Sequence, residues 1–255
     1  MRRICLLDWD GTLHKGITTF EFVRFCATQL PDLIQEENKI EKILAHRSDY
    51  DYDLLVKKIA DVFLTAIKRL DASTLSALED EFVRSRLNLY DYTEYLLRRL
   101  NHLDFEPYII SGAPETIVRK AMHKYVSEPN IFGIRYVFSH NRIFNITGQN
   151  LGTFSGKEEA VGAILSDGKQ ADLAIGDAPA DSALFFRGRV SVLLSEPGKE
   201  KIYGYSGKQP SFVVSKDLFL KFIDSVLVQA KDAADEYQKI SITGSSATSS
   251  NEFAS

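Results

Sequence analysis

The stretch Ile4-Cys5-Leu6-Leu7-Asp8-Trp9-Asp10-Gly11-Thr12-Leu13 decides the fold. Its first four residues form an unbroken apolar run, which is typical of a strand buried on both faces of a parallel sheet. Asp8 and Asp10 follow, and in an extended chain their side chains lie on one side while Trp9 faces away. Gly11 then lets the chain turn tightly. Taken alone, this pattern is equally typical of a surface turn, so its meaning depends on the rest of the chain.

Short apolar runs of the same kind recur along the chain and alternate with stretches of helical character. The runs are 108–110, 173–175 and 190–194, and the helical stretches are 115–125, 157–165 and 181–186. Strands that alternate with helices predict an α/β fold with a Rossmann-like parallel sheet flanked by helices.

One long interval breaks this alternation. Leu55, Ile59 and Phe63 recur there at helical spacing, and the interval contains no convincing strand. We therefore expect an inserted α-helical domain. The predicted division is 1–17 and 102–230 for the α/β core, 18–101 for the helical insertion, and 231–255 for the end of a helix and a disordered tail.

Two further elements complete the predicted core. The stretch 131–146 carries β-type residues around Ser139-His140-Asn141-Arg142, which indicates a hairpin at one edge of the sheet. The stretch 211–214 predicts a last strand, and 218–228 predicts the helix that follows it.

Groups suited to binding a phosphate follow two of the predicted strands. Ser111 and Gly112 come directly after a strand, where a hydroxyl and a backbone N–H can donate to an anion and a following helix presents its positive end. Lys157 stands at the start of a helix, where its charge is slightly unfavourable unless an anion lies near it. Close to a phosphate, this charge would stabilise the group being transferred.

Acidic residues collect at the predicted carboxyl edge of the sheet. Asp8, Asp10 and Asp177 each follow a predicted strand, and reactive groups of parallel sheets lie beyond that edge. Neighbouring carboxylates repel one another unless a cation intervenes, and Mg²⁺ prefers carboxylate and water oxygens. We therefore predict a Mg²⁺ site formed by these three residues. Asp181 stands at the start of the next helix, where the helix dipole favours an acidic residue.

The composition excludes several classes of protein. The 255 residues are 44% hydrophobic and carry a net charge of −4, so we expect a folded chain with no affinity for nucleic acid or anionic membranes. No apolar run approaches the ~20 residues of a membrane span, and the first residues do not form a secretory signal. With only Cys5 and Cys26 present, we expect a cytoplasmic protein whose partner is a small molecule. Its oligomeric state cannot be deduced from these features.

The four acidic and phosphate-binding segments, in this order, resemble the signature motifs of phosphatases of the haloacid dehalogenase superfamily. The helical insertion after the first motif resembles the cap of the branch that includes phosphoserine phosphatase. The resemblance implies a Mg²⁺-dependent phosphomonoester hydrolase that acts on a small phosphorylated metabolite through an aspartyl phosphate. The implied roles are nucleophile for Asp8, general acid and base for Asp10, phosphate binding for Ser111, charge neutralisation for Lys157, metal binding for Asp177 and support for Asp181.

The sequence departs from the family pattern in ways that bear on the substrate. Trp9 replaces the more usual phenylalanine, and Ala178-Pro179 replaces small polar or glycine residues, yet no reacting group is lost. The loop 14–19 lacks the glutamate with which phosphoserine phosphatases hold the substrate's amino group, so we do not expect phosphoserine as the substrate. A phosphosugar mutase and a noncatalytic binding protein of the same fold are the alternatives, whereas Asp10 disfavours a dehalogenase.

Overall fold

The computed structural model describes residues 2–165, 168–197 and 209–247, and for 237–247 it describes the backbone alone. Its centre is a seven-stranded sheet in the order β4-β3-β2-β1-β5-β6-β7. All neighbours in it are parallel except β3 and β4. The strands are β1 (Arg3–Leu7), β2 (Phe105–Pro114), β3 (Ile131–Ser139), β4 (Arg142–Thr147), β5 (Ala171–Gly176), β6 (Gly188–Ser195) and β7 (Phe212–Ser215).

Helices cover the sheet and form the long insertion after β1. They are α1 (Thr18–Gln29), α2 (Ile34–Ala45), α3 (Tyr52–Ile67), α4 (Ala72–Ser85), α5 (Thr93–His102), α6 (Glu115–Met122), α7 (Phe154–Ile164), α8 (Ser182–Arg187) and α9 (Phe219–Ala247). The predicted α/β fold with a parallel sheet and an inserted helical segment is confirmed.

The strand β1 lies in the middle of the sheet because its side chains are apolar on both faces. Cys5, Leu6 and Leu7 have no exposed surface. Hydrogen bonds join β1 to β2 on one side and to β5 on the other. Burying such a run between two layers of helices contributes on the order of 2 kcal/mol per large side chain. Asp8 therefore emerges at the centre of the sheet's carboxyl edge.

The predicted hairpin is formed by β3 and β4. Ser139 pairs with Arg142, which leaves His140 and Asn141 as a two-residue turn. Both turn residues have positive φ angles, 48° and 63°, as the tight turns that match the twist of a hairpin require. The hairpin extends the sheet beyond β2 and contacts α3 of the insertion.

The helices of the insertion differ in what they pack against. Apolar side chains of α1 to α4, such as Phe22, Phe63 and Phe82, form a cluster that also includes Ile117 of α6. The helix α5 instead packs on β2 and α9. Leu96, Leu97 and Leu100 of α5 belong to the same apolar cluster as Leu7, Phe105 and Ile109 of the sheet. The predicted boundary at 101 stays a prediction, and this packing leads us to propose that the cap ends before α5.

Several predicted element ends shift in the structure. The last strand begins at Phe212, and α9 runs through Ala247, so the backbone is helical over 231–247 of the stretch for which we predicted a helix end and a disordered tail. The rest of the predicted disordered tail, 248–255, lies outside the described residues. Within the described part of the chain, no helix combines the length and apolar character that a membrane crossing requires.

Candidate active site

The centre of the candidate site is a buried contact between Asp8 and Lys157. Asp8 directly follows β1 and is 4% exposed, while Lys157 lies in the second turn of α7 and is 2% exposed. The Lys157 Nζ donates to Asp8 Oδ1 at 2.5 Å and also to Asp181 Oδ1. Burial lowers the Lys157 pKa, but Asp181 and Asp8 outweigh it and hold the pKa above its usual value. The lysine is therefore a permanent cation facing Asp8.

We had predicted that Lys157 stands at the start of its helix, but the helix begins earlier. The helix α7 begins at Phe154, and the Thr153 hydroxyl caps it by accepting from the Gly156 N–H at 3.2 Å. A threonine cap satisfies a backbone donor that the helix itself leaves unpaired. The earlier start places Lys157 one turn into the helix, with its side chain aimed at the end of β1.

Two more carboxylates reach the same point from the end of β5. Oxygens of Asp8, Asp177 and Asp181 lie within 4.8 Å of one another. Asp181 Oδ2 accepts from the backbone N–H groups of Asp177 at 2.9 Å and Ala178 at 2.8 Å, which fixes the loop that carries Asp177. Asp181 thereby connects this loop to Lys157.

The nearby lysines do not fully offset the burial and the mutual repulsion of these carboxylates. Burial, followed by the charge of Asp181, raises the pKa of Asp8 well above its usual value. Burial also raises the pKa of Asp177 to about 6, even though Lys216 acts in the opposite direction. Crowded buried carboxylates of this kind favour either a proton or a further cation between them.

The donor set fits a divalent ion such as Mg²⁺. The cluster offers hard carboxylate oxygens and no thiol or imidazole ligand among the described residues, which is the chemistry that Mg²⁺ selects. Asp10, which we predicted as a third ligand, is not one of the three clustered carboxylates. Its role as a metal ligand stays a prediction.

The Asp10 side chain lines the same cavity but is held toward the start of α1. Its Oδ1 accepts from Thr18 N at 2.9 Å and from Thr18 Oγ1 at 2.5 Å. The same oxygen lies 3.2 Å from Nδ1 of the buried His14, whose Nε2 lies 3.1 Å from Glu21 Oε2. These contacts fix the Asp10 carboxylate at the edge of the cavity.

His14 is a buried cation in this arrangement. Burial lowers its pKa, but the adjacent carboxylates of Asp10 and Glu21 outweigh that effect and raise the pKa to about 9. The Trp9 ring stacks on the imidazole at 5.7 Å, and Trp9 Nε1 donates to Thr18 Oγ1 at 2.8 Å. Trp9 is therefore a structural support of the Asp10 surroundings.

Gly11 allows the first and the last acidic segments to approach each other. Its φ angle is +79°, a conformation that side chains disfavour. A β-carbon at this position would lie 2.1 Å from Asp177 Oδ2. The glycine is therefore required both for the turn after Asp10 and for the contact with Asp177.

The predicted phosphate ligands Ser111 and Gly112 line the cavity beside Asp8 and Lys157. Ser111 is 1% exposed, and its Oγ accepts from the Ala113 N–H at 3.0 Å. Pro114 is the last residue of β2, and α6 begins at Glu115. It pairs with Ile134 after a shift of register, so the strand extends past Ser111.

Two residues that the sequence did not single out also reach the site. Burial raises the pKa of the Tyr52 hydroxyl. The charge of Lys157 lowers this pKa, whereas the charges of Asp181 and Asp8 raise it. The Tyr52 side chain is nevertheless 37% exposed, so the hydroxyl end faces the cavity while part of the ring stays accessible. Lys216 follows β7 and pairs with Asp177 Oδ2 at 2.9 Å and Glu196 Oε1 at 2.6 Å. No sequence motif marks either residue.

All the predicted site residues except Asp181 line one cavity of about 270 Å³, and Asp181 supports it from behind through Lys157. Much of the remaining wall is formed by the loop after Gly11 and by α3 of the insertion, which contributes Tyr52, Leu55 and Val56. The site therefore lies between the carboxyl edge of the sheet and the helical cap.

Comparisons with known proteins agree with this arrangement. Residues 5–185 match the family model of haloacid dehalogenase-like hydrolases. A search of curated proteins found no match. Because the family model covers well over half of the chain, the protein belongs to the haloacid dehalogenase-like hydrolase family, and the prediction of an enzyme of this superfamily is confirmed.

Several solved structures share the fold. A substrate-bound phosphoserine phosphatase is 17% identical with a TM-score of 0.61, covering 87% of this chain and 98% of that one. A protein of unknown function from Bordetella pertussis Tohama I is 16% identical with a TM-score of 0.65, covering 85% and 99%. Cytosolic 5'-nucleotidase IIIB bound to cytidine is 14% identical with a TM-score of 0.60, covering 91% and 87%. The predicted fold of the phosphoserine phosphatase-like branch is thereby confirmed.

Proposed function

We propose that the protein is a Mg²⁺-dependent phosphomonoester hydrolase that acts on a small phosphorylated metabolite through an aspartyl-phosphate intermediate on Asp8. The observation that carries this proposal is the convergence of three carboxylates within 4.8 Å, two of them held by Lys157, beside a cavity that also presents Ser111. Family membership supports a hydrolase, and the reducing cytoplasm remains our predicted setting.

The metal would be held by Asp8, Asp10 and Asp177, with Asp181 as their support. When bound, a divalent cation would neutralise part of the charge that collects on the carboxylates and the phosphate oxygens. The same charge balance would keep Asp8 ionised, because its pKa is otherwise raised by burial.

The chain's own residues supply the remaining parts of the first step. Ser111, the Gly112 N–H and the Lys157 ammonium donate to the phosphate oxygens and orient the phosphorus toward Asp8. An Asp8 oxygen attacks phosphorus in line, and the bond from phosphorus to the ester oxygen breaks. The departing alkoxide takes a proton from Asp10 and leaves as an alcohol.

In the second step Asp10 acts as a base. It removes a proton from a water molecule that attacks the phosphorus of the aspartyl phosphate, and the bond to Asp8 breaks to release phosphate. The contacts from Thr18 and His14 to Asp10 Oδ1 support this role, since they fix the carboxylate while it exchanges a proton.

A phosphatase assay with an Asp8→Asn variant tests the proposal. We expect Mg²⁺-dependent hydrolysis of an aryl phosphate by the wild-type chain, abolished by chelation and reduced to background in Asp8→Asn. The matched control is Asp61→Asn, which changes an exposed carboxylate on the outer side of α3 and should keep full activity. Mass spectrometry after a rapid acid quench should find one phosphoryl group on Asp8 in the wild-type chain.

Three outcomes would contradict the proposal. Substantial metal-dependent turnover by Asp8→Asn excludes Asp8 as the nucleophile. Formation of an isomerised phosphate ester without free phosphate indicates the mutase alternative. Binding of a phosphate ester without turnover or covalent labelling indicates a noncatalytic member of the fold.

A further inference from the structure

The wall of the cavity opposite the acidic cluster is apolar. Among the described residues that line the cavity, the charged ones are Asp8, Asp10, Lys157 and Asp177, all of which belong to the proposed reaction centre. The wall above them is formed by Ile17, Tyr52, Leu55, Val56, Ile59 and Ala60. A substrate's phosphate lies against the charged part, so its leaving group lies against this apolar part.

The helix α3 presents this wall with the first part of its apolar face. Near the start of the helix, Tyr52, Leu55 and Val56 lie on this face and line the cavity. Further along the same face, Phe63, Ala66 and Ile67 pack into the interior of the cap. Leu55 and Val56 are only half-buried, although they are apolar. Their accessible surface faces the space that the leaving group would fill.

Val56 also determines how close the cap lies to the core. A β-carbon on Gly152, in the loop before α7, would lie 2.8 Å from Val56 Cγ1. The glycine therefore lets the apolar wall approach the loop that leads to Lys157. The resulting space of about 270 Å³ is near the lower limit of ~300 Å³ for ligand pockets.

Three charged side chains of the cap near this wall, Glu21, Arg24 and Lys58, have other partners. Arg24 pairs with Glu37 and Glu41 on α2. Glu21 lies against the His14 imidazole, and the Lys58 ammonium lies 5.0 Å from the centre of the Tyr50 ring. These contacts direct charge away from the cavity. The uncharged polar groups at the wall are Thr19, Gln149 and the Tyr52 hydroxyl.

We infer that the substrate is a small phosphomonoester whose leaving group is uncharged and largely apolar, selected by α3 of the cap. A carboxylate or ammonium group in this part of the cavity would lose its hydration without gaining an ion-pair partner, which costs free energy. An aliphatic or aromatic leaving group would instead bury apolar surface against Leu55 and Val56. This inference rests on the proposed phosphatase function.

The test compares butyl phosphate with two analogues of the same chain length that end in a carboxylate or in an ammonium group. Because the alcohols are alike near the phosphate, their intrinsic reactivities are similar. We expect kcat/KM of the wild-type chain to be lower for both charged analogues by roughly ten-fold or more. Equal or faster hydrolysis of either charged analogue would overturn the inference.

A charge added to the wall tests the role of α3. In Leu55→Lys, we expect kcat/KM for the carboxylate-ended ester to rise relative to butyl phosphate by roughly ten-fold. The matched control is Leu54→Lys, which adds the same charge one residue earlier at a position that is 41% exposed and does not line the cavity. An equal change of the ratio in both variants would contradict a specific role for the wall.

A binding measurement separates this inference from the proposed function. Calorimetry in Mg²⁺ would compare butylphosphonate with its carboxylate-ended analogue, neither of which can be hydrolysed at the phosphorus–carbon bond. Preferred binding of butylphosphonate without hydrolysis of any ester would contradict the phosphatase function and support the apolar preference. Failure to bind either phosphonate, together with no hydrolysis, would contradict both. The substrate comparison uses only the wild-type chain, so it tests the apolar preference even if Leu55→Lys does not fold.

Discussion

At the residue scale, the stability contributed by His14 should depend on pH. Its folded pKa of about 9 exceeds the ordinary value of 6.5, so the protonated form is stabilised by Asp10 and Glu21. A raised pKa contributes stability that is fully present below about pH 6.5 and is lost as the pH rises through about 9. For metal-free protein, we expect a pH-dependent contribution of about 2–3 kcal/mol.

Urea unfolding of the wild-type chain and His14→Gln at pH 6 and pH 10 measures this contribution. The difference in the free energy of unfolding between the two proteins should shrink at the higher pH. The control is His102→Gln, which changes an exposed histidine at the end of α5. A constant difference across this range would mean that His14 stabilises the fold without being charged.

Two glycines should respond in opposite ways to the same substitution. In Gly11→Ala, the positive φ and the approach to Asp177 should destabilise the protein by at least about 2 kcal/mol. In Gly162→Ala, an added β-carbon on α7 meets no atom within 4 Å, so helix propensity should stabilise the protein by about 0.5–1 kcal/mol. Chemical denaturation measures both changes, and similar effects of the two substitutions would contradict the strain assigned to Gly11.

Residues with one dominant chemical role were the easiest to predict. Asp8 and Asp177 follow strands at the edge where parallel sheets collect reactive groups, so their positions along the chain predicted that they meet. For Lys157, the resemblance to the family implied the role, and the structure places its ammonium against Asp8. Lys216 reaches the site through the tertiary packing of β7, which no local spacing encodes. His14 contacts Asp10 within the turn that follows β1, and no sequence motif marks this contact.

At the element scale, Glu79 joins the cap to the core. This residue of α4 is 2% exposed and accepts hydrogen bonds from Thr116 Oγ1 of α6 and from the Tyr136 hydroxyl of β3, the latter at 2.8 Å. Its other oxygen lies 3.2 Å from Lys120 Nζ. Because removal of the carboxylate leaves buried donors unpaired, Glu79→Ala should lower the free energy of unfolding by about 2–3 kcal/mol.

The control for this change is Glu81→Ala, which removes an exposed carboxylate from the same helix. Guanidinium denaturation should show a change within about 0.5 kcal/mol for the control. Equal stability of the two variants would mean that the Glu79 contacts do not hold the cap to the core. The predicted helical insertion 18–101 includes the stretch that forms α4, whereas its buried glutamate could not be distinguished from a solvated one from the sequence alone, because the contacts come from α6 and β3.

At the scale of the whole molecule, the order of elements was largely predictable. Apolar runs without polar alternation distinguish buried parallel strands from helices, and each predicted strand lies within an observed one or overlaps it. The boundary between the cap and the core was harder to predict from the sequence, because α5 has the same helical period as its neighbours. Only its contacts with β2 and α9 associate it with the sheet.

The central position of β1 has a consequence for the order in which the sheet and the cap fold during synthesis. Its five residues are made before the rest of the sheet, because their partners in β2 lie about a hundred positions later and those in β5 nearly seventy later still. Pairings so distant in sequence form slowly and only after the intervening segment has left the ribosome. The helices of the insertion can pack earlier through local contacts. In the nascent chain, the cap can therefore fold before the sheet and its active site are complete.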